Sequence, residues 1–293
     1  PSWEALSPGS EPSSLKRYGH TGVMYDGSMF IFGGRAGKQR YNDFLKLQFK
    51  DRTDNNMAWA PRLATTNPPT ARGHAIMEIY DNKFFLFGGI DKDGKKNDLH
   101  FLVLATLEWT EISTSGADIS PRAMHTLFFH GSKLFVFGGV GDDTTEKNDL
   151  WEMDVSGDLT VPKSWSEVTV DGEKPSPRQG SLGAVIGDKL YLVFGISSSL
   201  AMNDIWEIDF ASSVLAWKRL SSGGPPSTNM PASRHESTLV TYGSKMVICG
   251  GTNSGAMNDI WDLEVIVETR KLITEHTHAM YLIEDFDAKL ELK

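Results

Sequence analysis

One pattern recurs five times along this chain and constrains its fold more than any other feature. An arginine is followed sixteen and seventeen residues later by the two residues that end an apolar stretch, and a polar loop then leads to an Asn-Asp step. The arginines are Arg17, Arg72, Arg122, Arg178 and Arg234. The residue pairs are Gly33-Gly34, Gly88-Gly89, Gly138-Gly139, Phe194-Gly195 and Gly250-Gly251. Successive arginines are 55, 50, 56 and 56 residues apart, a length that favours four short strands over a helical hairpin.

The apolar stretches before the residue pairs predict strands that are covered on both faces. Phe84–Phe87 and Leu134–Phe137 are continuously apolar rather than alternating, as in the inner strands of stacked sheets. The eight tryptophans occupy only two positions of the repeat. Trp151, Trp206 and Trp261 follow Asn-Asp steps, and Trp3, Trp59, Trp109, Trp165 and Trp217 lie on the fourth strand of each unit. We interpret these large rings as wedges between neighbouring sheets.

Taken together, the Arg-His start, Phe-x-Phe-Gly-Gly, Asn-Asp-Leu-Trp and the outer tryptophan resemble the kelch repeat, over residues 3 to 265. The resemblance implies an all-β fold, a β-propeller whose blades are arranged radially around a channel lined by their first strands. The residues of the repeat resemble those of intracellular kelch scaffold proteins more than those of kelch ubiquitin adaptors.

Blade number depends on the two ends of the chain. We expect six blades in a single domain, residues 1–293, with blades starting near residues 17, 72, 122, 178 and 234 and a degenerate one near 276. Trp3 precedes Arg17 by fourteen residues, close to the thirteen that separate Trp59, Trp109 and Trp165 from the next arginine. An N-terminal strand would therefore close the last blade and remove its open edge. Thr269–Ile273 would be an outer strand, and His278–Ile283 and Lys289–Leu292 a first and second strand. Five blades with an appended hairpin or helix, or seven in a longer parent, are the alternatives.

The loops after the second strands are the predicted binding surface, because variable loops on a repeated scaffold usually carry function. They form a basic, an acidic and a small-residue sector, which we expect to bind a partner protein. The expected partner-binding residues are Arg35, Lys38, Arg40, Lys95, Lys96, Asp142, Asp143, Met202 and Met257. Solvated turns that keep the protein soluble are the alternative interpretation.

The repeated arginines and histidines favour structural roles over ligand binding. Five aspartates recur with the arginines, which indicates internal ion pairs. His20, His74 and His125 lie three, two and three residues after their arginines. A slip of one residue reverses a side chain's face on a strand, so we expect no convergent metal site.

The rest of the sequence favours a non-catalytic interaction module, a scaffold or adaptor. A net charge of −9 counts against binding nucleic acid through phosphate neutralisation. We expect no membrane segment, because no apolar run approaches the roughly 18 residues of a membrane span. We expect no enzyme activity and no cofactor, since nucleophile elbows and phosphate loops are absent from the sequence. The single cysteine, Cys249, suits a reducing cytoplasm, and the start at Pro1 suggests a monomeric domain from a larger protein. A regulatory domain attached to an enzyme, or a metal-dependent enzyme with its site at the channel, is the alternative.

Overall fold

The computed structural model describes residues 16–49, 57–227, 230–266 and 289–292, and the regular elements in these ranges are all strands. In chain order they are β1 (Thr21–Tyr25), β2 (Ser28–Phe32), β3 (Arg35–Ala36), β4 (Gln39–Arg40), β5 (Phe44–Phe49), β6 (Met57–Trp59), β7 (Ile76–Tyr80), β8 (Lys83–Phe87), β9 (Leu99–Val103), β10 (Glu108–Glu111), β11 (Arg122–Ala123), β12 (Thr126–His130), β13 (Lys133–Gly141), β14 (Glu146–Asp154), β15 (Ser166–Glu167), β16 (Leu182–Ile186), β17 (Lys189–Val193), β18 (Ile196–Ser197), β19 (Leu200–Ala201), β20 (Ile205–Asp209), β21 (Trp217–Ser221), β22 (Thr238–Tyr242), β23 (Lys245–Cys249), β24 (Ile260–Ile266) and β25 (Lys289–Leu292).

These strands form five antiparallel sheets, called blades 1 to 5 below. Their orders are β1-β2-β5-β6, β7-β8-β9-β10, β12-β13-β14-β15, β16-β17-β20-β21 and β22-β23-β24-β25, and short β11 also pairs with β13. The hairpins β3-β4 and β18-β19 extend the loops after the second strands of blades 1 and 4. The first strands of successive blades contact one another, from β1 through β7, β12 and β16 to β22. The blades are therefore arranged radially around these first strands.

The second strands are buried between blades, as their continuous apolar sequence predicts. In β8, Phe84 and Leu86 pack toward blade 1, whereas Phe85 and Phe87 pack toward blade 3. All four side chains are almost fully buried. Successive residues of a strand point to opposite faces, so an uninterrupted apolar run supplies two interfaces at once.

The fourth-strand tryptophans wedge between blades, which confirms their predicted structural role. Trp109 packs edge-on against Phe32 of blade 1, with ring centroids 5.3 Å apart. Trp217 contacts Phe137 of blade 3 in the same way at 5.3 Å, and Trp165 lies 5.2 Å from Phe87 of blade 2. Each ring thus fastens its own blade to the preceding one. Trp3 lies outside the described residues.

The described residues contain five blades, and one strand predicted for a sixth belongs elsewhere. Lys289–Leu292 is β25, the fourth strand of blade 5, with Leu292 opposite Leu263. Its assignment as a second strand is wrong, because Lys-Leu-Glu-Leu alternates like a strand covered on one face, unlike the continuously apolar second strands. Thr269–Ile273 and His278–Ile283, like the N-terminal closing strand, lie outside the described residues, so the sixth blade near residue 276 stays a prediction.

Candidate binding surface

The five repeat arginines each form a two-pronged ion pair with the aspartate of their own blade, as the sequence predicts. In blade 4, Arg178 Nη1 and Nη2 donate to the two carboxylate oxygens of Asp204, both at 2.7 Å, and Nη1 also donates to the carbonyl of Phe194 at 3.0 Å. The same fork joins Arg17 to Asp43, Arg72 to Asp98, Arg122 to Asp149 and Arg234 to Asp259. Bidentate pairs of this kind are the strongest hydrogen-bonded ion pairs in proteins.

These forks are structural and do not present a cationic ring to a ligand. Arg72, Arg122, Arg178 and Arg234 are at most 1% exposed. The hydrogen bond from Arg234 lowers the pKa of Asp259 to about 2 against the opposing effect of burial, and Trp261 contributes a further hydrogen bond. Each fork fixes the start of a first strand to the start of the third strand. The end of the molecule that carries the loops therefore rests on a rigid frame.

A chain of backbone hydrogen bonds links the first-strand starts and was missed by sequence reasoning. The residue two positions after each repeat arginine has positive φ: Gly19, His74, Met124, Gly180 and Glu236. The N–H of His74 donates to the carbonyl of Gly19 at 2.7 Å, and the same step recurs from each of these residues to the preceding one as far as Glu236. Five residues of four types occupy this position, so residue identity gives no signal for it.

The repeat histidines do not converge on a common site. His74 lies beside the Tyr18 ring at 6.2 Å, whereas His125 is buried and packs edge-on against Phe87. Burial, and secondarily the charge of Arg122, lowers the pKa of His125 to about 3, so its imidazole is neutral at physiological pH. Within the described ranges, no group of three His, Cys, Asp or Glu side chains could hold a metal ion.

The basic sector contains an unusual pair of cations. Arg35 and Arg40 are directly opposite each other in the β3-β4 hairpin, and the Arg35 guanidinium lies 5.0 Å from the centre of the Tyr18 ring. The Nε atoms of both arginines are buried without a hydrogen-bond partner, and neither side chain has an ion pair among the described residues. Lys38 is exposed at the turn between them.

The other predicted loop residues of blades 2 and 3 differ in the hydrogen bonds and ion pairs that they make with neighbouring residues. The backbone N–H of Lys95 donates to the Asp142 carboxylate at 3.0 Å, which joins the loops of blades 2 and 3. Lys96 pairs with buried Asp91 at 3.0 Å. The pKa of Asp143 is lowered to about 2 by hydrogen bonds from Thr145 and Lys147. The structure therefore brings the backbone of Lys95 next to the acidic sector.

The two predicted methionines are partly buried on blades 4 and 5. The backbone of Met202 bridges Gly195 and Arg234, with hydrogen bonds of 2.8 and 3.1 Å, while Met257 donates to Gly251 at 2.9 Å. The most exposed apolar side chain of this sector is Leu200, at 70% exposure in the β18-β19 hairpin. The sequence does not distinguish Leu200, because it lies in an uncharged loop of mostly small residues.

A central channel of about 770 Å³ lies between the first strands. Its walls are largely apolar, with residues such as Val23, Phe129 and Leu239, and Glu78 is the one charged residue among the described residues that line it. Burial raises the pKa of Glu78 to about 7, partly opposed by the backbone N–H of Ile79. No helix of the described residues is long and apolar enough to cross a membrane.

Radial four-stranded antiparallel blades around a channel define a β-propeller, which confirms the predicted fold class. The chain matches the family described as the KLHDC2/KLHL20/DRC7 Kelch-repeats domain, over residues 2–154 and 94–275. The chain belongs to the kelch-repeat family. A solved structure titled "Structure of YjhT" matches with a TM-score of 0.64 and 20% identity, over 85% of this chain and 82% of that one, and shows the fold alone.

Curated relatives share the repeat over most of this chain. The leucine-zipper-like transcriptional regulator 1 homolog of Drosophila melanogaster is 28% identical over 89% of the chain and 27% of its own length. Kelch domain-containing protein 3 of Bos taurus is 26% identical over 84% of the chain and 64% of its own length. The human leucine-zipper-like transcriptional regulator 1 is 28% identical over 92% of the chain, which spans only 32% of that relative. Membership of this family fits a protein-interaction module.

Proposed function

We propose that this propeller is a non-catalytic scaffold or adaptor module that binds a segment of a partner protein across the loop-bearing end. The acidic part of that segment would meet the basic sector of Arg35, Lys38, Arg40, Lys95 and Lys96. Its basic part would meet Asp142 and Asp143, and an apolar part would meet Met202 and Met257. A cytoplasmic protein is the proposed setting, since the one cysteine, Cys249, suits a reducing compartment.

The Arg35-Arg40 pair carries this proposal. Like charges directly opposite each other on a two-stranded ladder destabilise it, and these two guanidiniums have no acidic partner among the described residues. Their Nε atoms are also buried without an acceptor, which costs free energy on the order of 1 kcal/mol or more per group. A carboxylate from outside the chain would relieve the repulsion between the two guanidiniums, since guanidinium forks match carboxylates in geometry.

The contrast with the repeat arginines supports the same conclusion. Arg178 and its counterparts are satisfied by aspartates in their own blades. Arg35 has no such aspartate, although it lies on the same end of the molecule. There burial lowers the pKa of His74, and the charge of Arg35 lowers it further. Cations that are left without anions on this hairpin are suited to an acidic partner segment.

The experiment is an affinity capture from cell lysate, read by mass spectrometry. The baits are the unchanged protein, Arg35→Glu/Lys95→Glu, and the control Lys83→Glu/Lys163→Glu. The control makes the same change in net charge. Lys83 is the first residue of β8, at the end of that strand remote from its following loop, and Lys163 lies in the connection between β14 and β15. We expect a set of proteins that is retained by the unchanged protein and by the control and is lost from Arg35→Glu/Lys95→Glu. Capture that is equal for all three baits would contradict the assignment of the loop-bearing end.

A further inference from the structure

The interface between blades 1 and 2 contains an open pocket that the proposed function does not use. Its volume is about 490 Å³. Its walls come from the connection that leads into blade 2 and from β10, and they include Pro68, Pro69, His100, Trp109 and Glu111. His100 and Glu111 are directly opposite each other on β9 and β10, so their side chains share the face that carries Trp109 against blade 1. Arg72 and Asp98 of the blade 2 fork also line the pocket, so it lies at the outer edge of the loop-bearing end, beside β10.

Blade 2 lacks a repeat tryptophan beside this pocket. His100 stands where blades 3, 4 and 5 have Trp151, Trp206 and Trp261. Its Nε2 lies 2.9 Å from Asp98 Oδ2, the bond that Trp206 Nε1 makes with Asp204 Oδ2 at 2.7 Å. The smaller imidazole keeps the hydrogen bond to the aspartate and leaves the rest of the space open.

Blade 4 indicates what chemistry the outer part of this space accommodates. Arg219 is directly opposite Trp206 on β21, and its guanidinium lies 5.5 Å from the centre of the Trp206 ring. Its Nη1 pairs with Glu173 of the preceding connection at 3.2 Å. Blade 4 thus provides its own arginine at the rim, held between an aromatic ring and a carboxylate.

Blade 2 has a negatively charged residue at the position that Arg219 occupies in blade 4. Glu111 is opposite His100, so it replaces Arg219, and Asn67, five residues before the repeat arginine, replaces Glu173. Glu108 also lines the pocket. Neither glutamate has an ion pair among the described residues. Asp98 and Arg72 neutralise each other within their fork, so the pocket has an excess of negative charge and no cation of its own to balance it.

We propose that this pocket, called the rim pocket below, binds an arginine side chain of a partner protein. The planar guanidinium takes the space beside the imidazole of His100, against exposed Pro68, and pairs with Glu111. Planar cations stack on rings and donate to carboxylates in this manner. The proposal is independent of the loop sectors and extends the interaction surface to the blade 1-blade 2 rim.

The test uses N-acetyl-L-arginine amide as the probe, titrated into the isotopically labelled intact protein and followed by NMR. We expect saturable shifts at the amides of His100 and Glu111 and at the Trp109 indole, with a dissociation constant on the order of 1 mM for so small a ligand. N-acetyl-L-lysine amide should bind more weakly and N-acetyl-L-leucine amide should cause no saturable shift. An equal affinity for the lysine or leucine probe would overturn the assignment of a guanidinium.

Four variants separate the rim pocket from general charge effects. Glu111→Gln should weaken binding about tenfold, the loss expected for one charge-assisted hydrogen bond. Glu167→Gln is the matched control, because Glu167 is opposite Trp151 in blade 3, where the tryptophan is present, and it should bind like the unchanged protein. His100→Trp should abolish binding by filling the space. Arg35→Glu/Lys95→Glu should retain it, so failure of the proposed function leaves this result intact. No saturable shift at the pocket, or equal binding by the Glu111→Gln and Glu167→Gln variants, would overturn the proposal.

Discussion

Blades 2 and 4 have the same strand order and the same arginine-aspartate fork, yet their outer rims differ in two side chains. Trp206 and Arg219 close the rim of blade 4, whereas His100 and Glu111 leave the rim of blade 2 open and acidic. Both His100 and Trp206 still bond to the aspartate of their blade. The repeat therefore fixes the arginine-aspartate fork in both blades. The pocket lies in blade 2, where the tryptophan position of the repeat holds a smaller side chain and the fork forms without the indole.

The largest effect should come from breaking the part that the two blades share. Asp204→Asn leaves the fully buried Arg178 without its counter-charge, so we expect a loss of about 3 to 5 kcal/mol in the free energy of unfolding. Asp98→Asn should cost about 3 kcal/mol, the lower end of that range, because the Asp98 side chain is 21% exposed. Urea denaturation measures both. A loss below about 1 kcal/mol at either position would show that the forks do not fix the frame.

The Asp98→Asn effect should depend on pH in one direction. Burial alone would raise the pKa of Asp98, but hydrogen bonds from His100 and Arg72 hold it well below its usual range. A carboxyl group whose pKa is lower in the folded than in the unfolded chain stabilises the fold above the unfolded pKa, and that contribution is lost as pH falls through the folded value. The difference between unchanged protein and variant should be complete at neutral pH and should shrink below about pH 4. A difference that grows on acidification would contradict this account of Asp98.

The next effect comes from giving blade 4 the rim of blade 2. Trp206→His removes a ring that is 2% exposed, so we expect a loss of about 3 kcal/mol and a cavity like the rim pocket. The imidazole should retain the bond to Asp204, as His100 does with Asp98. Trp206→Phe is the control, since it keeps apolar volume but loses the donor. Unchanged stability in Trp206→His would mean that the indole is not needed to join blades 3 and 4.

Much of this comparison follows from sequence, and the rest depends on contacts between blades. The pairing of Arg178 with Asp204 is predictable because both residue types recur together in five repeats. Lys289–Leu292 was assigned to the wrong strand because four alternating residues after a degraded repeat do not specify which strand they join. The opposition of Arg35 and Arg40 depends on the register of a two-residue hairpin. In the sequence, only His100 at a tryptophan position indicates the rim pocket, and this single change does not by itself predict a cavity.

A smaller effect should distinguish the exposed charges of the two rims. Arg219→Ala removes a guanidinium that is partly exposed, next to Trp206 and Glu173, so we expect a loss of about 0.5 to 1 kcal/mol that decreases with added salt. Glu111→Ala removes an unpaired carboxylate and should change the free energy of unfolding by less than about 0.5 kcal/mol. Equal losses in the two variants would mean that Glu111 has a partner within the chain and that the rim of blade 2 is already balanced.

The smallest expected effect comes from giving blade 2 the tryptophan of blade 4. His100→Trp places an indole in a space that the frame of blade 2 already provides, with Asp98 positioned to accept its N–H, as Asp204 does in blade 4. Filling an existing cavity without forcing neighbours apart should stabilise the protein by about 0.5 kcal/mol. Denaturation midpoints compared with those of unchanged protein measure this, and His100→Leu serves as an apolar control without a donor. A loss of about 2 kcal/mol or more would mean that the rim of blade 2 has been reshaped around His100. A small gain would mean that blade 2 can still accommodate the repeat tryptophan, and that its absence keeps the rim pocket open.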